Sequence, residues 1–412
     1  MKKKIAIIGA GITGLTLAKF LSKKNYNISI YEKKSEIGGI MRDSIESDHL
    51  YFTGPHFLDP KSEWLNSFFS KNEINKNFIH FKENLYSYTD FFDKISLKEN
   101  STQPLILNNI KNIKLNSYIK KIEKKKNVSL KERINLYPKN ISEKLGLWIN
   151  NFSKETEKLD QSASEVYGYR VVFNKNFDQL EKLKKNKIFN KIYGRVSGEK
   201  ETHIVPKNGF NDMFNHIEKN LLESGINIIK NVNLKSNLQK KEFSINNNVL
   251  NYDYLIWTAN PIPLLKVYDK KLDNKTLNVK VYVSRIKKIK DLKPTYINVY
   301  SLKSKIFRIY VYNLDNSSQI SVETFFDKKS NKKNILTEVK KIMKKLKINI
   351  NFIGKMIEKK EIRHIFLTQN DIKVLKSFKK NKPSNIIDGV WEKNFHREQK
   401  ISFYKNYVSN NL

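Results

Sequence analysis

Three glycines near the start of the chain have the spacing of a loop that binds phosphate. Gly9, Gly11 and Gly14 follow an apolar segment, residues 4 to 8, that is predicted to be a buried strand, and they open a predicted helix over 12 to 24. In such a turn the first glycine permits the tight bend, the second lets the backbone approach a pyrophosphate, and the third lets helix and strand pack closely. Amides at the helix N-terminus then bind the phosphates. The residues predicted to make these contacts are Gly9, Gly11, Ile12, Thr13 and Gly14.

An acidic residue ends the second predicted strand, residues 27 to 32. Glu32 lies eighteen residues after Gly14, where its carboxylate can accept hydrogen bonds from both hydroxyls of an adenosine ribose. The same charge would repel the 2′-phosphate of NADP. The strand, the glycines, the helix and this acid together predict a dinucleotide site, to which we also assign Lys33.

Two further glycines favour FAD over NAD. Gly38 and Gly39 stand in EKKSEIGGIMR, and this E-x-x-x-x-G-G continuation resembles that of glutathione-reductase-like flavoproteins, particularly their amine-oxidase branch. Paired glycines let the chain pass close to the pyrophosphate and ribityl of a bound FAD, whereas an NAD domain does not require them there. The resemblance therefore implies FAD as the cofactor. Arg42 either offsets phosphate charge or is an ordinary surface arginine.

The segment LYFTGPHFLDPKSEWLNSFF, residues 50 to 69, resembles UDP-galactopyranose mutases and protoporphyrinogen-oxidase-like proteins. The resemblance implies that Gly54, Pro55 and His56 lie at the isoalloxazine ring. For His56 the alternative is a histidine whose hydrogen bonds are satisfied within a turn. We assign no general base, so the catalytic residues stay undefined.

Two later segments resemble the remaining cofactor contacts of this superfamily. Residues 203 to 234 are similar to its P-x-G-G-[FY] segment, with Asn208 in place of the first glycine. The resemblance implies that the backbone of Val232 binds adenine and that Thr258 lies near the adenosine half. Residues 385 to 408 occupy the place of its C-terminal glycine, loop and helix, although the usual G-R or G-D pair is not kept. The candidates in this segment are Gly389, His396, Arg397 and Glu398.

The order of predicted elements defines the fold class. Four strand candidates within 277 to 326 follow one another without a helix between them, which predicts an antiparallel meander separate from the first sheet. We predict an α/β fold, with a Rossmann-like FAD-binding domain on a parallel sheet and a mixed α+β substrate domain on an antiparallel sheet. The predicted division gives residues 1–72, 201–265 and 381–412 to the FAD-binding domain, and residues 73–200 and 266–380 to the substrate domain.

The composition excludes several kinds of site. Cysteine is absent and the 7 histidines show no metal-ligand spacing, so we predict no metal. The net charge of +37 is spread along the whole chain together with many asparagines, so we predict no nucleic-acid partner. The basic field suits a small-molecule substrate that is anionic, a sugar nucleotide or lipid-like, and it is compatible with peripheral contact to an anionic membrane. No segment approaches the roughly 20 apolar residues of a transmembrane helix, and we expect a cytoplasmic location.

Two chemistries compete within this superfamily. Its oxidases and desaturases remove a hydride from a C–H bond, whereas its mutases rearrange a nucleotide sugar without net redox change. After G-P-H this chain has Asp59 where the mutases have a further histidine, and KTLNVKVYV lacks their arginine. We therefore predict an FAD-dependent oxidoreductase, with a mutase and a non-catalytic flavin-binding protein as alternatives. Arginines beside tyrosines suit an anionic or sugar-nucleotide ligand. The substrate candidates are Tyr167, Tyr169, Arg170, Tyr193, Arg195 and Arg308.

Overall fold

The computed structural model describes residues 2–46, 49–52, 57–82, 84–91, 96–99, 129–135, 139–151, 157–160, 203–273, 275–314, 317–325, 331–393 and 397–411. Its strands are β1 (Lys3–Ile8), β2 (Tyr26–Tyr31), β3 (Ser44–Glu46), β4 (His49–Tyr51), β5 (Phe78–Phe81), β6 (Asn84–Thr89), β7 (Ser96–Glu99), β8 (His203–Pro206), β9 (Asn227–Ile229), β10 (Leu234–Asn237), β11 (Glu242–Ile245), β12 (Asn248–Val249), β13 (Tyr254–Trp257), β14 (Lys275–Ile286), β15 (Thr295–Tyr300), β16 (Ile306–Leu314), β17 (Ser317–Phe325), β18 (Phe352–Phe366) and β19 (Ile386–Ile387). Its helices are α1 (Ile12–Leu21), α2 (Glu63–Asn66), α3 (Lys71–Asn77), α4 (Leu130–Ile134), α5 (Lys139–Ile149), α6 (Gly209–Glu223), α7 (Pro261–Val267), α8 (Lys332–Lys345), α9 (Gln369–Asn381) and α10 (Arg397–Asn411).

A parallel sheet has the strand order β19–β13–β1–β2–β9. Apolar side chains fill both faces of β1, as expected for a strand that is covered on both sides. Ile5 and Ile7 belong to a core shared with helices α1, α6 and α10, while Ala6 and Ile8 belong to a core shared with α7 and α9. The sheet is therefore the middle of three layers. The carboxyl ends of β1 and β13 lie side by side, and ligands bind at this edge in sheets of this kind.

The parallel sheet is assembled from distant parts of the chain. Strands β1 and β2 come from its start, β9 and β13 from residues 227–257, and β19 from residues 386–387. This arrangement supports the interleaved order expected for the FAD-binding domain, whose boundaries stay a prediction. The predicted α/β fold class is confirmed.

A second, seven-stranded sheet has the order β18–β14–β17–β16–β15–β6–β7. Its strand pairs are antiparallel except for β15 and β6, which run parallel. Strands β14 to β17 lie where the sequence predicted strands, and β15, β16 and β17 pair consecutively as an antiparallel meander does. The predicted place of β14 is wrong, because it pairs with β17 rather than with β15. The other edge of β14 is occupied by β18. The sheet is therefore mixed, and its two edge strands, β18 and β7, come from outside the chain segment that contains β14 to β17.

The two faces of this second sheet differ in chemistry, because successive side chains of a strand point to opposite faces. On one face, Ile297 of β15 and Ile309 of β16 pack with apolar residues of α8, including Ile335 and Val339. We call the opposite face the polar face. It is defined by Tyr296, Asn298, Arg308, Tyr310, Ser321 and Glu323. Among the helices that the structure describes, none is long and apolar enough to cross a bilayer.

Candidate functional site

The glycine turn lies between β1 and α1. Gly9 has φ of +105°, a conformation that favours glycine, and its amide donates to the carbonyl of Tyr31 at 2.9 Å. A Cβ atom on Gly14 would lie 2.1 Å from the carbonyl oxygen of Gly9, so nothing larger than glycine fits there. A Cβ atom on Gly11 would meet nothing within 4 Å. Gly14 is thus needed for packing, whereas Gly11 borders open space in which a pyrophosphate can approach the backbone.

The paired glycines form a second wall beside this turn. The amide of Gly38 donates to the carbonyl of Ala10 at 2.8 Å. Gly38 and Gly39 both have positive φ. A Cβ atom on Gly38 would lie 2.6 Å from the ring of Phe214, in helix α6. A Cβ atom on Gly39 would lie 3.5 Å from the Cα of Gly11. The paired-glycine loop and the glycine turn therefore border the same space. Residue 38 must have no side chain, because α6 packs against its backbone.

Glu32 links the end of β2 to the glycine turn. Its Oε2 accepts from the Ala10 amide at 2.7 Å and its Oε1 accepts from the Lys34 amide at 3.0 Å. A carboxylate offers about four acceptor positions, so these two bonds leave capacity for the ribose hydroxyls. The carbonyl of Glu32 accepts from the Val232 amide at 2.9 Å. That amide thus ties the chain after β9 to the end of β2, and the adenine contact expected from the Val232 backbone stays a prediction. Lys33 is exposed beside Glu32.

Arg42 is buried at the base of the paired-glycine loop. Its Nε donates to the carbonyl of Ile37 at 2.6 Å, and one terminal nitrogen donates to Oδ1 of Asn215 at 3.3 Å. Its other terminal nitrogen lies 3.4 Å from a carboxylate oxygen of Glu36. Arg42 is thus not an ordinary surface arginine. It ties the loop to α6 and brings a positive charge to the loop.

Thr258 follows β13 and supports the glycine turn, and its predicted place near the adenosine half stays a prediction. Its hydroxyl lies 3.0 Å from the carbonyl oxygen of Ile8 and 3.1 Å from that of Gly9, to which it can donate. It also lies 3.0 Å from the position that a Cβ atom of Gly14 would occupy. The side chain therefore fills the space behind the glycine turn and fixes its carbonyls.

The C-terminal segment brings strained backbone to the same edge of the parallel sheet. A Cβ atom on Gly389 would lie 2.6 Å from Nε1 of Trp391 and 3.0 Å from the hydroxyl of Tyr404. Val390 is buried with φ of +50°, which is a rare conformation for a β-branched residue. The preceding Asp388 lies 3.6 Å from Nζ of Lys382, and both are buried. Strain of this kind is held only where surrounding packing fixes it.

Helix α10 begins beside this segment with two of the expected cofactor residues. The side chain of Arg397 reaches solvent, yet burial by surrounding protein lowers its pKa. Burial also raises the pKa of Glu398 and lowers that of Lys400. The cluster thus offers cations at a helix N-terminus, as an anionic ligand requires.

Asp43 follows the paired-glycine loop and Arg42, and the sequence predicted no role for it. Its Oδ2 accepts from the Asn211 amide at 3.0 Å, and its own amide donates to the Asn211 side chain at 3.1 Å. Burial raises the pKa of Asp43 to about 7, against the opposing effects of the Asn211 and Phe210 amides and the Arg42 charge. The signal available in the sequence was an acid directly after Arg42. Its partner lies 168 residues away, which spacing rules do not reach.

The remaining predicted residues divide into two groups. Arg308 lies on the polar face, where its Nη1 is 3.1 Å from Oε2 of Glu323. Phe52 and Phe57 connect that face to the nucleotide half, because the Phe52 amide donates to Gln319 at 2.9 Å and the Phe57 ring lies 5.8 Å from that of Tyr310. The predicted residues outside the described ranges are Gly54, Pro55, His56, Tyr167, Tyr169, Arg170, Tyr193, Arg195 and His396.

Comparison with known proteins identifies the N-terminal domain. Residues 7–71 match the family of NAD(P)-binding Rossmann-like domains. A 4,4′-diapophytoene desaturase (4,4′-diaponeurosporene-forming) of Staphylococcus aureus strain COL is 28% identical over 90 residues, which are 22% of this chain and 18% of that protein. The aligned region thus spans less than a fifth of the relative's length, and it supports a dinucleotide site rather than a whole-protein activity.

Solved structures are similar over nearly the whole chain. A putative protoporphyrinogen oxidase from Exiguobacterium sp. 255-15 has a TM-score of 0.63 at 11% identity, covering 100% of this chain and 98% of that one. Reduced UDP-galactopyranose mutase has a TM-score of 0.62 at 14% identity, covering 98% of this chain and 94% of that one. Putrescine oxidase bound to putrescine has a TM-score of 0.61 at 11% identity, covering 100% of this chain and 99% of that one. At these identities the likeness concerns the fold. The chain therefore shares the fold of these three structures, and its residues 7–71 match an NAD(P)-binding Rossmann-like domain.

Proposed function

We propose that the chain binds FAD and is an oxidoreductase acting on a small molecule. The observation that carries the proposal is the open space over Gly11, bounded by the turn on one side and by Gly39 on the other. When bound, FAD supplies an acceptor for a hydride removed from a substrate C–H bond. An NAD site does not require the second glycine wall, which is why we prefer FAD.

Several residues of this chain would hold the cofactor. The amides of Ile12 and Thr13 at the start of α1 suit a pyrophosphate, since those amides have no partner within the helix. Glu32 would accept from the adenosine ribose with its remaining acceptor positions. Arg42 and Arg397 bring positive charge from the loop and from α10.

The polar face would form the substrate wall. It is connected to the nucleotide half through Phe52 and Phe57, the residues that flank the G-P-H segment. Four of its side chains, those of Asn298, Tyr310, Ser321 and Glu323, are buried, so they would exclude water from a bound substrate and fix its orientation.

A nucleotide-sugar mutase is the second candidate, supported by the likeness to UDP-galactopyranose mutase over 98% of the chain. A diphosphate needs arginines whose charge is available to it. Arg308 instead pairs with Glu323 at 3.1 Å, so this arginine is poorly suited to clamp a diphosphate. We therefore place the mutase second, and a non-catalytic flavin-binding protein third.

Substitution of Gly11 by alanine tests the proposal without disturbing the fold. The added methyl meets no protein atom within 4 Å, so we expect Gly11→Ala to keep the wild-type melting temperature. It would project into the proposed pyrophosphate position, and FAD affinity should fall about 100-fold or more, which is about 2.7 kcal/mol. The measurement is fluorescence titration of flavin-depleted protein with FAD.

Gly146 in helix α5 provides a matched control, since a Cβ atom there also meets nothing within 4 Å. Gly146→Ala should leave FAD affinity unchanged and raise stability by about 1 kcal/mol, as alanine does inside helices. Equal FAD affinity in Gly11→Ala and wild type would reject the proposed site. Oxidoreductase activity is then tested by anaerobic loss of the flavin absorption on addition of candidate substrates, whereas the mutase requires turnover of UDP-galactofuranose under dithionite.

A further inference from the structure

The polar face carries an ion pair whose acidic partner is fully buried and whose arginine is largely buried. Glu323 is 1% exposed, and its Oε2 accepts from Nη1 of Arg308 at 3.1 Å. Burial opposes the charge on Arg308, but Tyr296, Tyr310 and Glu323 outweigh it and raise the pKa well above the ordinary value. The guanidinium therefore stays charged, and the pair is neutral as a whole.

Two hydrogen-bond donors at this pair are buried without a hydrogen-bond partner among the residues that the structure describes. They are Nε of Arg308 and the hydroxyl oxygen of Ser321. Ser321 is 0% exposed. A buried polar atom without a partner costs about 1–3 kcal/mol, so such atoms point to a ligand when they occur together.

The strand register places these two atoms on one patch. Arg308 pairs with Glu323, and Tyr310 pairs with Ser321, so Arg308 and Ser321 are diagonal neighbours on the same face. The Nε group can only donate a hydrogen bond, and a serine hydroxyl can donate one as well. The group that satisfies both is a hydrogen-bond acceptor.

The charge of the patch narrows this acceptor further. Because Arg308 and Glu323 neutralise each other, a carboxylate or phosphate would leave an uncompensated negative charge in a buried site. An ammonium would leave an uncompensated positive charge there and could not accept from either donor, and a hydrocarbon would leave both donors unsatisfied. A neutral oxygen, such as that of a ketone, ester, amide or alcohol, avoids each of these costs.

We infer that the polar face binds a neutral oxygen acceptor of the substrate through Nε of Arg308 and the hydroxyl of Ser321. The substrate class is thus a neutral carbonyl or hydroxyl compound, in place of the anionic ligand that the arginines in the sequence suggested. The aromatic surroundings, with the rings of Tyr296 and Tyr310 4.7 Å apart, suit an apolar carbon frame around that oxygen. The inference rests on the proposed function for its description of the ligand as a substrate.

Four probes with one carbon frame test the assignment: cyclohexanone, cyclohexanecarboxylate, cyclohexylamine and cyclohexane. Saturation-transfer NMR on the purified full chain measures their binding, whether or not flavin is present. We expect cyclohexanone to bind at least 5-fold more tightly than each of the others. Ser321→Ala should weaken cyclohexanone binding about 5-fold or more and leave cyclohexane binding unchanged.

Ser284→Ala is the matched control. Ser284 is 1% exposed on the neighbouring strand β14 and pairs with Ile320, on the side of the sheet that faces α8. It should leave the binding of all four probes unchanged. Absence of cyclohexanone binding, a preference for the acid or the amine, or an unchanged affinity in Ser321→Ala would overturn the inference. A colourless protein that does not take up FAD but binds cyclohexanone through Ser321 would reject the proposed function alone.

Discussion

The carboxylate of Glu32 accepts a hydrogen bond from the amide of Ala10 at 2.7 Å. This contact joins the end of the second strand to the glycine turn before any ligand is bound. The acid therefore has two tasks, since it positions the turn and keeps acceptor positions for a ribose.

We expect Glu32→Ala to impair both tasks. Loss of the bonds to the amides of Ala10 and Lys34 should lower stability by about 1–3 kcal/mol, and FAD affinity should fall about 10-fold or more. Glu32→Gln keeps an acceptor oxygen, so its stability and its FAD affinity should lie between those of Glu32→Ala and wild type. Melting temperature and FAD titration measure the effects. Glu242→Ala, at an exposed acid of β11, is the control. A Glu32→Ala variant with wild-type FAD affinity would contradict the proposal that Glu32 accepts hydrogen bonds from the ribose.

Substitution by alanine should lower the melting temperature at Gly14 but leave it unchanged at Gly11. In Gly14→Ala the methyl carbon would lie 2.1 Å from a backbone oxygen of Gly9, so helix α1 must move away from β1. We expect a loss of stability of about 3 kcal/mol or more, seen as a lower melting temperature without FAD. Gly11→Ala should keep its melting temperature under the same conditions. If both variants melt like wild type, the close packing of α1 on β1 is not as described.

The sequence predicted the glycine turn because the motif is local. The residues from Gly9 to Gly39 span the glycine turn, α1, β2 and the loop that follows β2, so their contacts are set by spacing within one short segment. The order of the second sheet could not be predicted in this way, since the pairing of β14 with β17 depends on packing across some 40 residues. For the same reason the reciprocal bonds of Asp43 and Asn211 were missed. The Val232 amide was assigned to adenine by resemblance, whereas its engagement with Glu32 depends on the local path of the chain after β9.

Thr258 should act through the turn. Thr258→Val keeps the shape of the side chain but removes the hydroxyl that lies near the carbonyl oxygens of Ile8 and Gly9. We expect a loss of about 1–2 kcal/mol of stability in the FAD-depleted protein, and Thr258→Ser should recover most of it. Thermal unfolding measures both. If Thr258→Val melts normally and loses only FAD affinity, the hydroxyl contacts the adenosine half instead.

Asp43 should make stability depend on pH with an unusual sign. Its pKa is about 7 in the folded chain and 3.8 in an ordinary aspartate. Between these values the folded chain holds a proton that the unfolded chain has lost, so stability decreases as pH rises from about 4 to about 7 and is constant above that. The contribution is at most about 4 kcal/mol.

Asp43→Asn removes this titration. Relative to wild type, we expect the variant to gain stability progressively as pH rises from 5 to 7 and to keep that difference above pH 7, because the unfolded wild type is stabilised by losing a proton that the folded wild type, with Asp43 buried, retains up to about pH 7. Melting temperature measured across this range gives the difference. Asp212→Asn, at an exposed acid of the same helix α6, should show no such trend. A constant difference between Asp43→Asn and wild type across the range would show that Asp43 ionises normally, and that its bonds to Asn211 compensate for burial.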